Sequence, residues 1–282
     1  MPALRRVLLL SFLFLALKSH GQDASIQYTG ELGISAGGAE YFGDLNTNSS
    51  FKGVHPSVGI FYRRFFNEYI GIRGSFHFAQ LGFSDIYNTN DFEHRRNLSF
   101  NTNIWEVAIQ GDFNFFKFTP GTDDRFTPYL TFGIGLFSFN PYAYYLGQKY
   151  YLQPLYTEGQ GSFQYPDRKP YSLQAICFPL GAGLKYNINS RINVGMEVVH
   201  RFTTTHYLDD VSKTYAGISA FPPPVNGKPD IAYILQDRSG ATGTPIGIAG
   251  RQRGGNPNND QYILFELNIS ILFTTYLCPK MH

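Results

Sequence analysis

The residues of this chain that could do chemistry are few and poorly spaced for it. His206, Asp209 and Asp210 lie close to Ser212, and together they offer the base, acid and nucleophile of a hydrolase triad. No nucleophile signature surrounds the serine, so the group reads as the polar base of a loop. His200 and His206 have no Cys-x-x-Cys or His-Glu-x-x-His partner to complete a zinc site. Gly181-Ala182-Gly183 begins like a dinucleotide-binding loop, but Tyr186 stands where the third glycine belongs and no helix follows. Cys177 and Cys278 are the only cysteines, too few for the disulfide framework of a small secreted domain. The sequence therefore predicts no catalytic residue, no metal ligand and no cofactor.

The elements that would carry these residues are strands. Two-residue alternation runs through the first half of Glu31 to Asn46, and through Ser57 to Arg63, Ile70 to Phe78, Trp105 to Phe115, Tyr129 to Ser138, Ile176 to Tyr186, Ile192 to Phe202 and Ile263 to Phe273. Ile70, Ile72, Phe76 and Phe78, for example, oppose Gly71, Arg73, Ser75 and His77. Side chains of a strand point alternately to its two faces, so each segment has one apolar face and one polar or glycine-rich face. Phe61 interrupts the polar row of its strand. Leu-rich helical patterns are missing, while 26 Phe and 20 Tyr make a heavy aromatic load.

Residues 1–21 read as an export signal: Arg5 and Arg6, an apolar run from Val7 to Leu17, then Ser19 and Gly21 at the small-residue cleavage positions. The run is too short for a membrane-spanning helix, and no cysteine follows it to take a lipid anchor. Without this leader, Lys+Arg falls from 23 to 20 against 21 acids. So even a balance gives no reason to expect a nucleic acid partner.

Alternation alone would also suit a soluble sheet with one wet face. Strand length, loop pattern and aromatic placement favour the membrane. The segments have about the 9–11 residues that a tilted strand needs to cross hydrocarbon. Connections alternate between brief (66–68, 120–124, 187–190) and long (46–56, 84–101, 140–172, 208–260). Aromatics gather at strand ends, at Tyr62, Phe65, Phe66, Phe115, Phe116, Phe118, Tyr186 and Tyr276, where interfacial girdles belong. The fold expected is an all-β, eight-stranded antiparallel transmembrane β-barrel of residues 22–282 in the bacterial outer membrane. It would have short periplasmic turns, long extracellular loops at 140–172 and 208–260, and a periplasmic tail at 277–282. Pro222-Pro223-Pro224 and Arg253-Gly254-Gly255 mark the largest loop as irregular surface.

An eight-strand barrel has an interior just wide enough for its own side chains. The inward set contains Glu31, Glu106, Asp112, Glu197 and Glu266 with Arg63, Arg73, Lys185, Arg201 and His77. Acids and bases nearly balance, so an ion-paired lumen network is predicted, not an open pore. Cys177 faces inward by the same alternation, far from a periplasmic Cys278, which speaks against a disulfide.

The opening Gly37-Gly38 step, followed by Tyr41-Phe42-Gly43-Asp44-Leu45, and the closing Cys278-Pro279 resemble the PorG family (DUF6089-like), outer-membrane barrels of the Bacteroidota type IX secretion system. The resemblance sits at the two ends of the chain and leaves the four long loops uncovered. It implies a non-enzymatic barrel in contact with outer-membrane lipids and with the periplasmic ring, a lipoprotein and its soluble partner. Two other roles stay open at this point: a lipid-modifying barrel enzyme using His206, and an adhesin or receptor acting through the 208–260 loop.

Overall fold

The computed structural model describes residues 27–255 and 257–275; the expected export signal, Cys278, Pro279 and the periplasmic tail lie outside them. Eight long strands form a ring: β1 (Gln27–Phe42), β2 (His55–Phe65), β3 (Ile70–Ser84), β4 (Ser99–Asn114), β5 (Phe126–Ser138), β8 (Gln174–Asn189), β9 (Ile192–Thr203) and β10 (Gln261–Thr275). Two further strands, β6 (Tyr142–Tyr145) and β7 (Gln148–Tyr151), make a small hairpin within the connection between β5 and β8. Each ring strand pairs with its neighbour, β3 pairs with β4, and β10 lies beside β1, which closes the cylinder. The registers are antiparallel, as in Glu31↔Arg63, Arg63↔Arg73 and His77↔Glu106. No helix among the described residues is long and apolar enough to cross a membrane.

The alternation fixes which face is which. Ile34, Val107, Leu136, Leu180, Leu267 and Ile271 project outward and are exposed, a continuous apolar surface whose natural solvent is lipid. Tyr62, Phe66, Phe115, Phe116 and Tyr186 ring the end with short turns. At the other edge Trp105 packs on Phe76 and Phe78, with ring centroids 5.8 and 4.5 Å apart. Phe118, expected in the girdle, is instead buried and turns in beneath the Lys185 ammonium, 4.7 Å from its ring centroid. Phe61, which breaks the polar row, also points inward, and the Arg63 and Arg73 guanidinium groups lie 5.2 and 5.7 Å from its ring.

The strands are longer than the lipid-facing segments that the pattern marked; β1, β4 and β8 reach 16 residues. Their extensions lie at the loop end, where inward positions become apolar. Ala39, Ala79, Leu81, Phe83, Phe100, Ile104, Phe137 and Leu264 join Leu208, Val211 and Leu235 of the loops in one buried cluster. This apolar plug seals the top of the lumen, where the alternation predicts polar and charged packing.

The long connections fold over the plug as a cap. A short helix, Asp91–Arg96, is fixed by Asn90, whose side chain accepts from the amides of Phe92 and Glu93 at 2.9 and 3.3 Å. Acids occupy its first turn and bases its last, matching the helix dipole. The largest loop, 204–260, is not irregular surface as expected. It contains a helix, Ile231–Gln236, and buries Leu208, Val211, Tyr215 and Leu235. Pro222, Pro223 and Pro224 do remain exposed.

Candidate functional site

Two buried polar systems dominate the molecule, one in the lumen and one where the cap meets the barrel. In the lumen, Arg63 sits between Glu31 and Asp112 and is ion-paired to both. Asn193 and Ser270 also donate to Glu31, Ser270 at 3.0 Å. Arg73 lies 3.7 Å from Asp112 and 2.6 Å from Glu197, which also accepts from the Tyr129 hydroxyl at 2.6 Å. Nearer the plug, Arg201 pairs with Glu106 at 3.3 Å, and Tyr262 donates to the same carboxylate at 2.5 Å. His77 bridges this group to β10, with Nδ1 3.8 Å from Glu106 and Nε2 3.3 Å from Glu266. Ser35 donates to Glu266 at 2.8 Å.

The structure thus brings together nine of the ten charged or titratable lumen residues read from the sequence. Lys185 stands apart. Its ammonium lies 4.8, 4.7 and 5.5 Å from the rings of Phe65, Phe118 and Tyr129, and it has no hydrogen-bond acceptor among the described residues. Cation–π contact offsets part of its lost water, and the Asp112 and Glu197 carboxylates attract it from further off. Every one of these side chains is buried, so the low surrounding dielectric strengthens each pair and makes any unpaired charge costly. The arrangement holds the wall together and blocks the bore.

The second system involves the residues that carried the family resemblance. Tyr41, at the end of β1, donates to Asp209 at 2.7 Å and also lies 3.2 Å from Asp260. Asp44 accepts the amide of Gly255 at 2.7 Å. Gly43 has no room for a side chain: a Cβ there would collide with Asp260 and the Tyr41 hydroxyl. Gly37 is equally constrained, because a Cβ would strike the Phe265 carbonyl of β10, and at Gly38 one would approach Val54 at 2.7 Å. The aromatic-Gly-Asp motif is therefore a joint between barrel and cap.

Around the joint lie Arg96, Asp85 and Glu158, which the sequence does not single out, together with Asp210 and Arg253, which it marks only as a polar loop base and irregular surface. Arg96 makes a two-pronged pair with Asp85, both contacts 2.7 Å, and donates to the carbonyls of Arg253 and Asp44 at 2.6 and 3.0 Å. Arg253 lies 3.1 Å from Glu158 and 3.7 Å from Asp210. Glu158 in turn accepts the amides of Ser212 and Lys213. Burial raises the Asp210 carboxyl to about 6 even though Arg253, Thr157 and Tyr171 favour its ionised form. Strand periodicity could not reveal these residues, since loop charges ordinarily face water.

The hydrolase constellation does not assemble. His206 meets the carbonyl of Asn258 at 3.1 Å, Asp209 turns to Tyr41, and the Ser212 amide binds Glu158. His200 pairs with Gln261 at 2.7 Å and stacks on Phe202 with centroids 4.4 Å apart.

A closed antiparallel ring with an apolar outside and an ion-paired inside defines a β-barrel of the outer-membrane type. Residues 6–219 match the family model described as a domain of unknown function, DUF6089, and the chain belongs to that family. Among solved structures it is similar to the N-terminal β-barrel domain of OprF from Pseudomonas aeruginosa, with 11% identity, coverage of 88% of this chain and 100% of that one, and a TM-score of 0.37. Neisserial surface protein A matches with 10% identity, coverage of 86% and 97%, and a TM-score of 0.42. The outer membrane enzyme PagL matches with 11% identity, coverage of 86% and 99%, and a TM-score of 0.30. No curated protein matches the sequence.

Proposed function

We propose that this barrel is a non-enzymatic component of the type IX protein secretion system, held in the bacterial outer membrane and contacting the periplasmic ring lipoprotein and its soluble partner. The observation that carries a non-conducting role is the blocked bore: Arg63, Arg73 and Arg201 are tied to Glu31, Asp112, Glu197 and Glu106 across the lumen, beneath an apolar plug. A barrel that passes nothing acts through its surfaces. The link to type IX secretion rests on the likeness at Gly37, Gly38, Tyr41, Gly43, Asp44, Cys278 and Pro279. On this reading the periplasmic side, with its short turns, is the face offered to the ring.

Crosslinking in native membranes followed by purification of the barrel tests the proposal. Ring proteins should be recovered with it, and a deletion strain should fail to export cargo bearing a C-terminal signal. Recovery of the barrel alone, with secretion intact in the deletion strain, would overturn it. A second reading, recognition at the cell surface, is favoured by the exposed apolar residues of the cap, Phe163 and Ile248 among them. In that case removal of the cap loop would abolish binding to cells or matrix and leave secretion unchanged.

A further inference from the structure

The 204–260 loop is fastened to the barrel by an unusual set of groups. Asp209 lies near one root of the loop and Asp260 at the other, and both face Tyr41 of β1. With Asp44 they form a buried trio whose oxygens lie within 4.8 Å of one another. The outer oxygens are already engaged: Asp209 Oδ1 accepts the Val211 amide at 2.9 Å, and Asp260 Oδ2 accepts the Leu208 amide at 2.8 Å. The remaining oxygens, Asp209 Oδ2 and Asp260 Oδ1, both point at the Tyr41 hydroxyl. A hydroxyl has a single proton to donate. If it goes to Asp209, the contact with Asp260 is favourable only when Asp260 carries a proton and donates it to the phenolic oxygen. With two ionised carboxylates, one contact would set a lone pair against a negative oxygen in a dry site.

We propose that Asp209 and Asp260 share one proton across Tyr41, and that this proton is a latch holding the cap on the barrel, released as pH rises.

The surrounding charges leave that proton in place. From the 85–98 connection, Arg96 faces the site but spends its guanidinium on Asp85 and on the carbonyls of Arg253 and Asp44. Within the loop, Arg253 is engaged by Glu158 and Asp210. From the β1 side, among the described residues, come Tyr41 and Asp44; the Asp44 carboxylate adds negative charge, while its backbone amide donates to Asp260 and offsets part of that repulsion. Burial first, then the neighbouring carboxylates, hold both Asp209 and Asp260 well above the ordinary carboxylate range. A carboxyl with a raised folded value contributes stability in its neutral form. That contribution falls once pH exceeds the ordinary carboxylate value and is exhausted when the folded group itself ionises.

Limited proteolysis of the detergent-purified, folded barrel tests the latch. Cleavage within the 204–260 loop should accelerate roughly tenfold between about pH 6 and about pH 10. In D260N the side chain is neutral at every pH, so the loop should stay resistant throughout. Infrared spectroscopy supplies a second readout that needs only the wild-type fold: a protonated-carboxyl band at about pH 7, diminished in D209N. A wild-type loop indifferent to pH, a D260N loop that loosens like the wild type, or the lack of the carboxyl band would each overturn the proposal. So would protection by calcium that a chelator reverses, since a cation would then be doing the proton's task.

Discussion

At the scale of single residues, the molecule is governed by the cost of leaving a charge unaccompanied. Arg63 holds two carboxylates at once, so Arg63→Met would leave Glu31 with no cation among the described residues and Asp112 with only the longer contact to Arg73 in a dry wall. A loss of about 3–5 kcal/mol is expected, measured by urea unfolding in detergent with heat-modifiable gel mobility as the readout. Glu197→Leu should act in the same direction by releasing Arg73 and Tyr129. The joint offers a steric counterpart. Gly43→Ala should clash with Asp260 and Tyr41, leaving the barrel folded but the 204–260 loop open to protease at every pH. Tyr41→Phe removes one hydroxyl and should cost roughly 1–2 kcal/mol of cap stability, read by hydrogen exchange of the loop.

Among the elements, the strands were legible in the sequence and the cap was not. Period-two alternation records which side chains meet lipid, and so it marked all eight ring strands and the inward set from Glu31 to Glu266. It fell silent where both faces are covered. Near the loop end Phe78 and Gln80 are half-buried outside while Ala79 and Leu81 are buried within, and the contrast that defines a strand in lipid fades. The hairpin β6–β7 is too short to show a period, and its Tyr-rich sequence resembles any exposed loop. Arg96 closes a helix of six residues and Asp85 lies before it, a spacing with no signature of its own. That helix depends on its cap: Asn90→Ala should cost about 1 kcal/mol, detectable as faster exchange at the Arg96 end and weaker anchoring of the Arg253 carbonyl.

For the whole molecule, ionic lumen, apolar plug and folded cap are three successive barriers along one axis. Purified barrel in a planar bilayer should accordingly show no stepwise ion conductance, and deleting residues 213–252 alone should leave it silent, because the plug of Leu81, Ile104, Phe137 and Leu264 belongs to the strands. Conductance on removing the cap would place the seal in the loops instead.

The ring closes where β10 meets β1, and Gly37 lets the two backbones come together there. Those partners are the first and last ring strands in chain order, so until the last of them has been delivered the sheet keeps two raw margins that any other strand could join. Assembly is therefore all or nothing with respect to length. A chain lacking β10 has no smaller cylinder to fall back on, and the carboxylate of Glu266, carried by that final strand, reaches His77 only once the circle is complete.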